Sequence, residues 1–529
     1  MVAASELPVQ TVREGVDAED MANAIFGDGV QIVGATYTGD IDSAGIYWTG
    51  DAVADSATPS DTGVILSTGN AEDYTNSSGS NANQSGSTST NTSGQNNNSQ
   101  FNAAAGSQTY DAAYLDVDFI ATGDTMTMQF VFSSEEYPEF QNSIYQDFVG
   151  VWINGQQVDI SVGNGDSDPG NINNTNNENL YVDNTASIAN TEMDGLTVTL
   201  TLTFPVLNDG SVNSIRIGIA DVSDSSYDSN LLIAGDSVQT SLIARDDLTH
   251  LTDPNGSKTV NVISNDTGPN GAVLEVTHIN GVRVYANDVV NLNSGQTVRL
   301  NPDGTIEVIG DGDSEDFNFT YTMTDGVNSD VGIVNVSSIP CFVAGTLIDT
   351  PDGPRPVEAI ASGDLVLTRD DGPQPVRWAG ARTVEAEGAF APVAIAAGAL
   401  GAHAALMLSP EHRVLVAGST AELLFGEREV LVAAKHLVDG RAVTQQAGGE
   451  VTYVHLMFDR HQVVTTEGLA SESFLPGPQT RDSFEADVLN EICAIFPELD
   501  PDTGEGYGPA ARRLLRGYEA GLLAKARAA

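Results

Sequence analysis

The sequence predicts a mostly β chain: an N-terminal β-sandwich, a second and smaller sandwich, a third all-β module and a short helical tail. Three observations lead there. Period-two alternation recurs in short runs, as in Met126-Thr127-Met128-Gln129-Phe130-Val131-Phe132. Gly, Asn and Asp turn signals separate those runs. Helical spacing of apolar residues becomes sustained only near the C-terminus. A chain of 529 residues exceeds what one hydrophobic core organises, and the pattern divides it into 1–243, 244–338, 339–481 and 482–529.

In chain order, the first unit is set by runs such as Leu115-Asp116-Val117-Asp118-Phe119-Ile120, Val198-Thr199-Leu200-Thr201-Leu202 and Ile215-Arg216-Ile217-Gly218-Ile219. Asn154-Gly155 stands between Phe148-Val149-Gly150-Val151-Trp152-Ile153 and Gln156-Gln157-Val158, a strong short-range hairpin signal. Many short strands between such turns point to a sandwich or jelly roll. One stretch, 75–100, is almost wholly Asn, Ser, Gly, Thr and Gln. It buries too little apolar surface to offset its ordering entropy and reads as a mobile surface loop.

From 244 to 338, Val262-Ile263-Ser264-Asn265-Asp266, Leu300-Asn301-Pro302-Asp303-Gly304-Thr305 and Phe319-Thr320-Tyr321-Thr322-Met323-Thr324-Asp325-Gly326 set turns at regular intervals. That spacing suggests an immunoglobulin-like sandwich. At Cys341 the composition shifts toward Ala, Val, Arg and His. In the tail, Phe484, Val488, Leu489, Ile492, Ile495 and Phe496 keep helical spacing until Pro497, and Leu514, Leu515, Tyr518 and Leu522 mark a second helix within 510–526. Cys493 lies in this tail and reads as a small buried core residue.

Asp and Glu number 73 against 21 Lys and Arg, a formal net charge of −52. Such acidity disfavours nucleic acid and anionic lipid as partners, and suits a soluble protein whose carboxylates are screened by salt or coordinated by calcium. Six of the basic residues (Arg13, Arg216, Arg245, Lys258, Arg283, Arg299) precede Cys341 and the rest follow it, as expected of modules with different tasks. The two cysteines, Cys341 and Cys493, leave no disulfide framework or cysteine zinc site. The N-terminus lacks a basic start followed by an apolar run, and no transmembrane segment is expected. The expectation is a secreted or surface protein, exported by a route that reads no N-terminal signal.

Leu66-Ser67-Thr68-Gly69, Phe132-Ser133-Ser134-Glu135-Glu136-Tyr137 and Asp147-Phe148-Val149-Gly150-Val151 resemble the bacterial choice-of-anchor L domain over most of residues 15–243. The resemblance implies an extracellular surface protein. The unit at 244–338 is similar to cadherin-like and Ig-like repeats of bacterial adhesins. Asp221, Asp224 and Asp228 cluster beside Ser225 and Ser226, and Glu135-Glu136 follows a strand. Acidic loops of this kind can supply the roughly six to eight oxygens that calcium takes, but in a chain this negative they are usually just solvated. The spacing matches neither an EF-hand nor a nonapeptide repeat.

The chemistry-bearing residues lie beyond Cys341. Ile339-Pro340-Cys341-Phe342-Val343-Ala344-Gly345-Thr346-Leu347-Ile348 joins the second sandwich to a new strand. Leu408-Ser409-Pro410-Glu411-His412 places a hydroxyl three residues before a histidine, and Tyr453-Val454-His455-Leu456-Met457-Phe458-Asp459-Arg460-His461 adds two histidines and a carboxylate. Together these look like the Hint (hedgehog/intein) module, in its bacterial hedgehog-like branch, over about 341–480. The resemblance implies that Cys341 initiates cleavage, that Ser409 and His412 stand for the Thr-x-x-His motif with serine replacing threonine, and that Asp459 and His461 stand for the later Asp-x-His block.

Those residue types suit cleavage of the Pro340–Cys341 bond. The Cys341 thiol hangs from the residue that carries the scissile nitrogen, so it reaches the Pro340 carbonyl through a five-membered ring without a bound substrate. His412, positioned by Ser409, is expected to polarise the amide and protonate the leaving nitrogen. Asp459 and His461 are candidates for deprotonating base and intermediate stabiliser. The expected product is a thioester joining residues 1–340 to the Cys341 sulfur. No cofactor is required. Splicing needs a terminal His-Asn pair, and Gly468-Leu469-Ala470-Ser471-Glu472-Ser473-Phe474-Leu475-Pro476-Gly477 has none. The thioester is therefore expected to pass to water, an amine or an alcohol. Zinc is the lesser alternative, because His403, His412, His436, His455 and His461 are dispersed and form no His-Glu-x-x-His. The other reading is an extracellular adhesin or matrix protein that binds glycans or cell surfaces and keeps an inactive Hint fold as a cap.

Overall fold

A computed structural model of the chain describes residues 2–77, 81–141, 143–158, 168–174, 176–249, 251, 256–269, 271–311, 317–336, 341–386 and 391–476, and in the tail 492, 493, 495, 496, 499, 506–515, 520 and 523. The fold is mostly β, in several antiparallel sheets. The chain divides into two compact units. One contains Met1–Asp247, Thr259–Val308 and Asn318–Val334; the other is mainly Asn335–Ala529.

In the first unit two sheets face each other. The larger runs in the order Val9–Thr11, Ala44–Tyr47, Gly63–Ser67, Ser229–Ala234, Thr125–Ser134, Gly195–Thr197 and Tyr181–Asp183, with Leu200–Pro205 also on Thr125–Ser134. The smaller runs Val30–Thr38, Thr109–Ala121, Asn213–Val222, Phe148–Ile153 and Gln156–Gln157. Alternation buries Phe130, Phe132, Leu231 and Ile233 of one sheet against Leu115, Val117, Phe119, Ile217 and Ile219 of the other. The helix Ala18–Ile25 packs onto this core behind a capping box between Asp17 and Asp20.

The Asn-Gly hairpin forms as the sequence indicates. Trp152 pairs Gln157 and Ile153 pairs Gln156, and both Asn154 (φ 51°) and Gly155 (φ 78°) take positive φ, the backbone that a two-residue hairpin turn needs. The polar stretch at 75–100 is irregular chain over most of its described residues, and it is tied down by side-chain hydrogen bonds. Asn83 donates to Asp194 (2.7 Å), the Thr90 amide to Asp228 (2.7 Å) and the Gln84 amide to Glu192 (2.7 Å). Asn98 caps a helix, Ser99–Ala105, that starts inside the stretch. Hydrogen bonds from Asn and Thr hold it where apolar burial is lacking.

In the second unit, one sheet runs Trp378–Glu385, Glu450–Met457, Phe342–Val343, Leu406–Leu408, Val393–Ile395 and Val443–Gln445. The other includes Leu347–Ile348, Val463–Thr466, Leu469–Glu472, Arg413–Ala417 and Glu429–Ala433. Phe342, Ile348, Leu408, Val414, Leu456, Phe458 and Val464 form its core.

The tail departs in part from the helical expectation. Residues 492, 493 and 495 are helical, but Arg513–Leu514 is a strand, parallel to Val430 and Leu431. The edge of Glu429–Ala433 offers open backbone groups, and Arg512 anchors the strand on Glu429 and Asp370 (both 2.8 Å). Tertiary pairing overrides a short helical periodicity here. Cys493 is half-buried rather than core. Phe484, Val488, Leu489, Pro497, Tyr518 and Leu522 lie outside the described residues.

Candidate functional site

Strand register builds the site. Phe342 pairs with Val454 on one side and with Leu408 on the other, both antiparallel. Antiparallel registers advance one residue against one, so Cys341 falls opposite His455 on the first neighbour and Ser409 on the second. The contacts agree. Cys341 N–H donates to Ser409 Oγ at 2.6 Å, and the Ser409 amide returns a bond to the Cys341 carbonyl at 3.0 Å. On the other flank, Cys341 Sγ lies 3.3 Å from His455 Nε2.

Cys341 is only 5% exposed. Burial pushes its thiol well above the ordinary range, with the Ser409 hydroxyl and Arg382 partly opposing. The sulfur is therefore held as a thiol, and the ring nitrogen in contact with it is His455 Nε2. Its ring is packed by Phe474 edge-on (centroids 5.3 Å) and by Trp378 (6.3 Å), which restrict it to the strand face that carries the sulfur.

His412 joins the site through the backbone: its amide donates to the Ser409 carbonyl at 3.1 Å. The imidazole lies against Phe342 (centroids 4.4 Å). Among the described residues neither ring nitrogen has a hydrogen-bond partner. Burial takes its pKa down from 6.5 to about 4, although Glu472 pulls the other way. It is a neutral imidazole at neutral pH.

The structure thus puts Ser409 and His455 in contact with Cys341, while His412 is tied to Ser409 through its backbone amide; the sequence motif places His455 in the Hint-like block but assigns it no role. The missed signal was register: a residue one position past a paired Val454 must face the residue one position before Phe342. Asp459 stands apart from Cys341, whereas His461 reaches His412 through the buried Glu472, which acts on both rings. Asp459 is an exposed residue whose carboxylate pairs with Arg377 at 2.7 Å. It follows the end of strand Glu450–Met457, so it escapes the sheet that carries Cys341. His461 is buried, but its Nδ1 accepts the Ala511 amide (3.0 Å) and its Nε2 faces the Ser473 carbonyl (3.2 Å) and Glu472 (3.4 Å). It binds the tail to the core. Pro340, the acyl residue, lies outside the described residues.

Among the described residues no group of three or more His, Cys, Asp or Glu is arranged to hold a metal ion. The candidate calcium ligands Asp221, Asp224 and Asp228 differ in their hydrogen bonding. Asp224 accepts the Ser226 amide (3.0 Å), Asp228 accepts the Thr90 amide (2.7 Å), and Asp221 is buried. Among the described residues no helix is long and apolar enough to cross a membrane.

Comparison with known proteins matches two segments of the chain. Residues 340–478 match the Hint domain family and residues 9–239 the choice-of-anchor L domain family. No curated protein matches the chain. Among solved structures it is similar to the M60 catalytic domain with two CBM51 domains from Clostridium perfringens ZmpB, at 9% identity and TM-score 0.15, over 69% of this chain and 32% of that one. It is also similar to the N-terminal eight Ig domains of Down syndrome cell adhesion molecule, at 8% identity and TM-score 0.14, over 56% and 30%. The chain spans about a third of each, and likenesses this low say nothing about its activity.

Proposed function

We propose that the chain cleaves itself at Pro340–Cys341 and so separates an acidic, β-rich surface or secreted passenger, residues 1–340, from its Hint module. The supporting observation is the two-sided contact of Cys341. The nitrogen that must leave is hydrogen-bonded to Ser409, and the sulfur that must attack faces His455.

In this reading His455 Nε2 takes the thiol proton. The thiolate adds to the Pro340 carbonyl carbon, forming the C–S bond, and the C–N bond to Cys341 then breaks. The proton returns from His455 to the departing nitrogen, with the Ser409 hydroxyl as the relay beside it. The products are a thioester and a free Cys341 amine, and every atom is conserved. His412, a neutral imidazole whose ring nitrogens have no hydrogen-bond partner among the described residues, would in this reading donate to the developing oxyanion, where such a bond is worth most. Water, an amine or an alcohol then attacks the thioester carbonyl and regenerates the thiol. Without a terminal His-Asn pair the flanks are not ligated.

A denaturing gel of freshly expressed chain tests this. Fragments 1–340 and 341–529, increased by dithiothreitol and lost in Cys341→Ala, are expected. A chain that stays full length with thiol overturns the proposal and leaves the surface-protein reading, with Hint as a structural cap.

A further inference from the structure

Three sequence blocks of the N-terminal unit that the cleavage chemistry does not use converge on one buried polar centre. Thr68 follows strand Gly63–Ser67, Ser134 and Glu136 lie at the end of Thr125–Ser134, and Asp147 precedes Phe148–Ile153. Asp221, in Asn213–Val222, and Ser229, at the start of Ser229–Ala234, complete it. All six are at most 1% exposed. Ser229 donates its hydroxyl to Asp147 Oδ2 (2.6 Å) and its amide to Thr68 Oγ1 (3.0 Å). The Val222 amide donates to Asp147 Oδ1 (3.1 Å).

The centre lacks a counter-charge. Both oxygens of Asp221 and one of Glu136 have no hydrogen-bond partner among the described residues. Asp221 follows a register break between Ile219 and Asp221, a bulge that re-aims the side chain. The ionisable groups acting on Asp147, Asp221 and Glu136 are one another and Asp224, Asp228 and Asp111, with no Lys or Arg. Burial, then this crowding, raises the Asp147 and Asp221 carboxyls well above the usual range and Glu136 to about 9. The Thr68 hydroxyl eases Asp221 only in part.

We infer that Asp147 and Asp221, with the hydroxyls of Thr68 and Ser229, bind one divalent cation, calcium in preference to magnesium. Two carboxylates match its double charge, so the site needs no third acidic ligand. Glu136 stands beside it. The donors are hard oxygens drawn from strand ends of both sheets, an irregular set that suits calcium better than the strict octahedron of magnesium. The bound ion would tie the two sheets at this end, and the inference does not depend on cleavage at Cys341.

Calorimetry on the full chain, stripped with EDTA and dialysed, tests it with calcium chloride and magnesium chloride as probes. Wild type is expected to bind one more equivalent of calcium per chain than Asp221→Asn or Asp147→Asn, with magnesium at least tenfold weaker. The surface variant Asp118→Asn is expected to keep the full stoichiometry. Melting in EDTA guards against misfolding: Asp221→Asn is expected to melt no lower than wild type, because it replaces a carboxyl buried among other carboxyls with a neutral group of the same size, while losing the upward shift that calcium gives wild type. Calcium stoichiometry and melting that are the same in wild type and Asp221→Asn overturn the inference and leave a proton-holding carboxyl cluster.

Discussion

The two buried polar centres of this chain solve opposite problems. Around Cys341 the contacting groups are a hydroxyl and the His455 imidazole, which with the thiol can all be neutral together and, in the proposed reaction, pass one proton among themselves. Around Asp221 they are carboxyls crowded without a cation. Burial moves both toward neutrality, but in opposite directions: it takes His412 down to about 4 and Glu136 up to about 9. A site that moves a proton is made of groups whose neutral forms are complementary. A site made of like charges asks for a counter-ion from outside.

The sharpest way to break this contrast is to remove the groups flanking the sulfur. Cys341→Ala is expected to abolish cleavage. His455→Ala is expected to slow it roughly 10²–10⁴-fold, the usual worth of a positioned base, as followed by fragment appearance on gels. Ser409→Ala leaves the scissile N–H without its acceptor and is expected to cost about 10- to 100-fold, with Ser409→Thr restoring the rate.

Stability against pH sharpens the difference in sign. His412 has a folded pKa below its ordinary 6.5, so the unfolded chain takes the proton first. Its contribution is complete above pH 6.5 and is lost as pH falls through about 4, on the order of 3 kcal/mol. Urea midpoints are expected to fall over that window in wild type and less in His412→Gln. The carboxyl centre runs the other way without its cation. Raised carboxyls stabilise when protonated, and that contribution fades as pH rises toward about 9 for Glu136.

Smaller still is Gly69→Ala. A Cβ there would meet Asp228 Oδ2 at 1.9 Å, so thermal melting should show a loss of about 1–3 kcal/mol. The least effect belongs to Asp459→Asn. Its pair with Arg377 is exposed on both sides, so stability should change by less than about 1 kcal/mol and the cleavage rate should not change.

Much of this was legible from residues alone, for identifiable reasons. Alternation in Met126–Phe132 and the Asn154-Gly155 turn are local signals, and the strand and hairpin formed as read. The contact of Cys341 with Ser409 was legible because both fall in the Hint-like motifs. His455 was not, since its role follows from which strands lie beside Phe342. Asp459 misled because a motif position carries no information about whether its strand has already ended. At 75–100, low hydrophobicity correctly denied a core but hid the side-chain bonds of Asn83 and Asn98. Leu514 was misread because two residues added to a sheet edge leave no periodicity of their own.

The central claim is that Cys341 exchanges its own nitrogen for its sulfur on the Pro340 carbonyl. Intact-mass spectrometry of the purified full chain after brief treatment with hydroxylamine addresses it directly. The account requires a species comprising residues 1–340 that ends in a hydroxamate on Pro340, together with residues 341–529 bearing a free amine. An unchanged full-length mass, the same as that of Cys341→Ala under identical treatment, would contradict it.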